Sequence, residues 1–255
     1  KDFLKKVDNV SILKKLFNKN RLTKYAKKLT VSDLGFLIDI SIINNFIKKN
    51  RKTIYVLEVG GGYGKFVKIF HTLHKSQKIK YLFIEGSVSS LYFSYKYLSK
   101  YLDKKKVGFY YHDKNATFNK YDIIIAPPWY KIDKNKKFDV AINIQSMQEM
   151  DQRHVDYYLK LFNKYLSNLG IIYLSNRKDH YFRGKYKVPK NWKLLIKTES
   201  PRSFIRDFPI EIYEKQKSII NNRVNNLIAR LYEYRLKAKN WSILTKAKKR
   251  KFKLY

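Results

Sequence analysis

At 255 residues and 44% hydrophobic content, the chain can build one substantial core, which excludes a disordered tail. The absence of cysteine excludes a disulfide framework and thiolate metal sites, and favours a reducing, cytoplasmic setting. A balance of 56 Lys+Arg against 20 Asp+Glu gives a formal charge of +36, a field that attracts nucleic acid, anionic lipid head groups or phosphorylated substrates.

The lysines are spread along the whole chain, and Lys, Asn, Ile, Tyr and Phe are enriched together as AT-rich codon usage produces, so the charge has a compositional reading beside the functional one. Its one local concentration is KKRKFK (248–253). No apolar run approaches the roughly 20 residues of a membrane span. The chain begins with Lys1 rather than Met, which leaves any targeting signal out of view.

Residues 1–50 read as an N-terminal helical segment, with Phe36, Ile40, Ile43 and Ile47 on one helix face. TIYVLEV (53–59) reads as a buried strand, and Phe66, Ile69, Phe70 and Leu73 mark the helix after it. KYLFIEG (80–86) is a second buried strand. Ser87 is placed to cap a helix with Val88, Leu91, Tyr95, Leu98 and Leu102 inward. Three more strands follow at VGFYYH (107–112), YDIIIA (121–126) and FDVAINI (138–144). Asp151 reads as the cap of a helix with Val155, Leu159, Phe162 and Leu166 inward, and GIIYLSN (170–176) as the next strand. WKLLIKTES (192–200) and IEIYEK (210–215) read as a closing antiparallel pair. Residues 216–255 return to a basic helical segment, with Ile220, Val224, Leu227 and Leu231 on one face. Strands alternating with helices over 51–215 predict a doubly wound α/β domain, its sheet mostly parallel.

VLEVGGGYGKF (56–66) sets four glycines within five positions after the first strand. A dinucleotide fingerprint would need glycines at 60, 62 and 65, and position 65 is lysine. The pattern present, Glu58-x-Gly60-x-Gly62-x-Gly64 with Gly61 between, resembles the first motif of S-adenosylmethionine-dependent methyltransferases. That resemblance implies a Rossmann-like fold and S-adenosyl-L-methionine as cofactor, its methionine and ribose portions lying close to the glycine backbone. Glu85 ends the second strand, where a carboxylate accepts both ribose hydroxyls in related folds.

APPWY (126–130) resembles the Asn/Asp-Pro-Pro-aromatic motif of enzymes that methylate amino groups on bases, but Ala126 stands where the side-chain acceptor belongs. FDVAINI serves better as the fourth strand of such a fold, which makes DIIIAPPW the third. Its loop would then border the adenine, with Trp129 as a stacking or lid residue or as ordinary packing.

INIQSMQEMDQRHVDYYLKLF (142–162), together with LEVGGGYG, APPW and YLSNR (173–177), resembles the sugar O-methyltransferase family from about residue 30 to about 215. Gln-Glu-Met (148–150) is the most specific part of the match. Glu85 stands where relatives often carry Asp, and the basic C-terminal helix lies outside the match. The resemblance implies a sugar, nucleotide-sugar or glycan acceptor in bacterial surface-polysaccharide biosynthesis, and it adds Gln145 to the cofactor-binding set.

A sugar hydroxyl needs a general base near neutrality, and candidates belong on loops at the carboxyl ends of strands. Glu149 and His154 follow the fourth strand and His180 the fifth. The family likeness points to Glu149, as base or sugar anchor, while the near-neutral titration of imidazole points to His154. Arg177 suits a substrate phosphate or a surface acid, and Asp151 reads as a cap rather than a catalyst. Some sugar methyltransferases use magnesium; no acid cluster here has metal-ligand spacing, so metal dependence stays open. A nucleic-acid methyltransferase and a non-catalytic protein retaining the fold are the competing readings, and peripheral association with an anionic membrane is the other use of the charge.

Overall fold

The structure, a computed structural model, describes residues 30–47, 51–74, 77–177, 186–199 and 209–216. His180, residues 1–29 and 48–50 of the expected N-terminal helical segment, and the helical segment expected beyond Gln216 lie outside the described residues.

The described elements are α1 (Val31–Asn44), β1 (Thr53–Val59), α2 (Lys65–Leu73), β2 (Lys78–Ile84), α3 (Val88–Tyr101), β3 (Val107–Phe109), β4 (Ile123–Ala126), β5 (Phe138–Ile144), α4 (Gln152–Tyr165), β6 (Leu166–Ser175), β7 (Trp192–Glu199) and β8 (Pro209–Lys215). The strands form one sheet in the order β3-β4-β2-β1-β5-β6-β8-β7. Pairing is parallel from β3 to β6, and β8 runs antiparallel to both β6 and β7. Covering the central strands on both faces explains why they read as continuous apolar runs rather than alternating ones. On one face Ile54 and Val56 pack with Phe66 and Phe70 of α2, Leu91 and Leu98 of α3, and Ile40 and Ile43 of α1. On the other, Leu57 and Val59 pack with Val155, Leu159 and Phe162 of α4.

The local start signals act as expected. The Ser87 hydroxyl accepts from the Ser90 amide and the Asp151 carboxylate from the His154 amide, each closing a free N–H of a first turn. Thr30 and Asp33 form a reciprocal capping box on α1. The α1 helix is also tied to the sheet, since the Tyr173 hydroxyl on β6 donates to the buried Asp39 carboxylate at 2.7 Å.

Four local expectations are corrected. Val88, at the first position of α3, is 65% exposed rather than inward, because the helix packs through Leu91, Ser94 and Leu98. The strand expected over 107–112 ends at Phe109, where the chain turns and the His112 and Asp113 amides both donate to the Phe109 carbonyl. Ile47 lies past the end of α1. Leu166 opens β6 instead of extending α4, and is buried there.

Candidate active site

The sheet reverses direction of winding between β1 and β5, so the crevice for a ligand lies beyond the carboxyl ends of those two strands. The glycine loop lies there. Gly60, Gly62 and Gly64 have φ of 72°, 60° and 84°, a region that favours glycine. Above Gly62 there is open space, since a β-carbon placed on it meets no atom within 4 Å. Gly60 and Gly61 are tight for a different reason. A β-carbon on Gly60 would lie 2.1 Å from Ser146 Oγ, and one on Gly61 2.4 Å from the Phe83 ring and 2.7 Å from the Glu58 carboxyl. The loop is thus closed toward the protein at Gly60 and Gly61 and open at Gly62.

Glu58 lies under this loop, 1% exposed, and accepts a hydrogen bond from the Tyr81 hydroxyl at 2.8 Å. Burial pushes its pKa up to about 8, outweighing the Tyr81 hydrogen bond that lowers it, and the nearby charge of Glu85 raises it further. No Lys or Arg among the described residues forms an ion pair with it. Glu85, the residue after β2, bonds three backbone amides: Oε2 accepts from Gly62, and Oε1 from Gly86 and Ser87. This ties the end of β2 to the glycine loop.

β4 occupies the third-strand position, beside β2 and away from β1, and the Glu85 amide donates to the Ala126 carbonyl at 3.1 Å. The APPW loop therefore flanks Glu85 rather than the crevice between β1 and β5. Trp129 on that loop is 60% exposed, so it is not a core residue. Tyr157 of α4 reaches the Pro128 carbonyl, and its buried neighbour Tyr158, whose hydroxyl is pushed up to about 12 mainly by burial, also feels the charges of Tyr157 and Glu85.

The segment leaving β5 forms the opposite wall. Asn143, fully buried, donates from Nδ2 to the Val59 carbonyl at 2.8 Å and to Ser146 Oγ at 2.6 Å, and its Oδ1 accepts from the Met147 amide. Gln145 has φ 59°, a left-handed conformation rare outside glycine, and its amide donates to the Ser175 carbonyl. Buried Gln148 accepts the Arg177 amide on Oε1 at 2.7 Å, linking this segment to the end of β6. Glu149 is exposed beside it. His154, also exposed, lies in the first turn of α4 with Nδ1 3.1 Å from Asp151 Oδ1. The Asp151 carboxyl is held below the usual range, chiefly by the hydrogen bond from the His154 backbone amide.

The structure thus brings Glu58, Gly60, Gly61, Gly62, Gly64 and Glu85 into one loop system, with Gln145, Glu149 and His154 on the segment that follows β5 and Trp129 on the rim beside Glu85. Asn143, Ser146 and Tyr158 escaped the sequence reading, whereas Gln148 entered it only within Gln-Glu-Met. A polar Asn within the apolar run FDVAINI was the signal available for Asn143. Among the described residues, no group of three His, Asp or Glu side chains could hold a metal ion.

No protein-family model matches the chain, and no curated protein matches it in sequence. Solved structures do match its fold. N-methyltransferase NodS from Bradyrhizobium japonicum WM9 superposes with a TM-score of 0.50 at 11% identity, over 73% of this chain and 100% of that one. A SAM-dependent methyltransferase from Aquifex aeolicus (TM-score 0.45, 12% identity, 75% and 96% covered) and an rRNA methylase from Streptococcus thermophilus (TM-score 0.45, 10% identity, 71% and 95% covered) are further matches. The chain has the Rossmann-like fold of class I methyltransferases, with a mostly parallel sheet and the reversed strand β8.

Proposed function

We propose that this chain is an S-adenosylmethionine-dependent O-methyltransferase whose acceptor is a sugar hydroxyl. The donor assignment is carried by one observation: a left-handed glycine loop, open at Gly62, lies between buried Glu58 and the loop-bonded Glu85 at the switch point. That arrangement fits a ligand with a ribose. Glu85 is the acid for the ribose hydroxyls, Glu58 supports the donor loop from beneath, and Gly60, Gly61, Gly62 and Gly64 permit close backbone approach. Trp129 and Gln145 complete the donor-binding set. The bound donor supplies an electrophilic methyl group on a sulfonium.

The protein's remaining task is to orient an acceptor oxygen and take its proton. His154 Nδ1 lies 3.1 Å from Asp151 Oδ1, and His154 acting as the base would use Nε2. Glu149 stands on the same segment, where it either anchors a sugar hydroxyl or acts as the base itself. The sugar acceptor rests on the resemblance of residues 142–162, with Gln-Glu-Met within it, and that resemblance supports a role in bacterial surface-polysaccharide synthesis.

The test is transfer from a labelled methyl donor to glycan extracts and, in parallel, to RNA and DNA. Label on an alkali-stable glycan ether supports the proposal. Label on a nucleobase instead would replace it with the nucleic-acid reading, and donor binding without transfer to any acceptor would favour a non-catalytic protein.

A further inference from the structure

The outer face of α3 is unusual in composition. Its exposed positions are Val88, Ser89, Tyr92, Phe93, Lys96, Lys100 and Tyr101, and the helix contains no acidic residue. Val88 and Phe93 are 65% and 62% exposed. The lysines extend past the helix through Lys104, Lys105 and Lys106, all exposed. Beside this face is an open groove of about 630 Å³ lined by Gly62, Tyr63, Phe93, Lys96, Tyr97 and Lys100. The rings adjoin one another, Tyr63 meeting Tyr97 edge-on at 5.2 Å and Tyr97 meeting Tyr101 at 4.9 Å.

We propose that this face is a membrane-docking surface that seats on an anionic bilayer, with Val88 and Phe93 entering the head-group boundary and the lysines pairing with lipid phosphates. The inference stands independently of the acceptor's identity. Exposed apolar and aromatic side chains interspersed with lysines can meet both the acyl boundary and the anionic head groups of a membrane. Each lysine near an anionic leaflet adds to the attraction. Among the described residues no helix is long and apolar enough to cross a membrane, so such a contact is peripheral.

A single-stranded polynucleotide is the other polyanion that aromatic rings and lysines attract. Base stacking requires free ring faces, however, and the protein's own cations occupy several of them. Lys68 Nζ lies 4.0 Å from the centre of the Tyr101 ring and 5.6 Å from that of Tyr97, and Lys96 Nζ lies 5.4 Å from that of Tyr92. What remains most exposed is Val88 and Phe93, and a valine offers nothing to a base. Since Gly62 and Tyr63 line the same groove, docking here holds the rim of the glycine loop at the lipid surface.

The cysteine-free chain allows the test to be local. An environment-sensitive fluorophore is placed on Phe93→Cys, and on Asn135→Cys in an exposed loop as the control. The full-length protein is then mixed with vesicles of phosphatidylglycerol and phosphatidylcholine, or of phosphatidylcholine alone. The expected result is a blue shift at position 93, absent at 135, with the anionic vesicles only. Co-sedimentation should weaken by at least about tenfold in Val88→Ser/Phe93→Ser and in Lys96→Glu/Lys100→Glu. Equal shifts at both positions, or vesicle binding unchanged in both double variants, would overturn the proposal by reducing it to diffuse charge. A response at 93 to single-stranded RNA with none to vesicles would overturn it in favour of nucleic acid.

Discussion

Glu85 holds the glycine loop from the neighbouring strand: its Oε2 accepts the Gly62 amide at 3.1 Å, while Oε1 takes the amides of Gly86 and Ser87. One carboxylate therefore shapes the loop and, in the proposed complex, receives the ribose. Glu85→Ala should lower donor affinity by roughly 1.5–3 kcal/mol, the range for hydrogen bonds to a charged group. Isothermal calorimetry checks this, and affinity within about twofold of the parent would remove Glu85 from the donor site.

The space above Gly62 separates a steric prediction from a backbone one. Its φ of 60° strains most side chains, but asparagine tolerates that region better than others. Gly62→Asn should keep its melting temperature close to the parent's and still lose at least about tenfold in donor affinity, because its side chain fills the open side of the loop. Gly62→Val should lose affinity and stability together. Full affinity in the asparagine variant would mean that the donor lies elsewhere.

Glu58 should make stability fall with rising pH. Its folded pKa of about 8 exceeds the ordinary value of 4.5, so between those values the native state holds a proton that the unfolded chain has released. The contribution is complete below about 4.5 and is lost as pH rises through about 8. Thermal melts of the parent and Glu58→Gln should therefore diverge across this window, the parent losing a few kcal/mol relative to the variant. Parallel melts would count against a protonated Glu58.

Glu149 and His154 divide the chemistry in a way kinetics can read. If His154 is the base, His154→Ala should lower kcat by about two orders of magnitude with donor binding intact, and Glu149→Gln should mainly raise the acceptor KM. The reverse pattern assigns the base to Glu149. Near-parental rates in both variants would move the search to His180 or leave orientation alone to supply the rate.

The sequence by itself determined what depends on near neighbours along the chain. Apolar runs marked β1, β2 and β5, the 3.6-residue period marked the inner faces of α2 and α4, and Ser87 and Asp151 announced helix starts, because each signal acts within a few residues. The glycine spacing was legible for the same reason, since the need for left-handed φ is local to Gly60, Gly62 and Gly64. Only the tertiary structure decided which loops meet. Placing β5 beside β1 puts Asn143 and Ser146 on the Val59 carbonyl, and placing β4 beside β2 sets the APPW loop against Glu85. Strand order arises from pairings between residues far apart in the chain, and no local period encodes it. Charge divides in the same way: a total of +36 is a property of composition, whereas an exposed row of rings and lysines on α3 exists because Leu91, Ser94 and Leu98 turn the opposite side of that helix into the core.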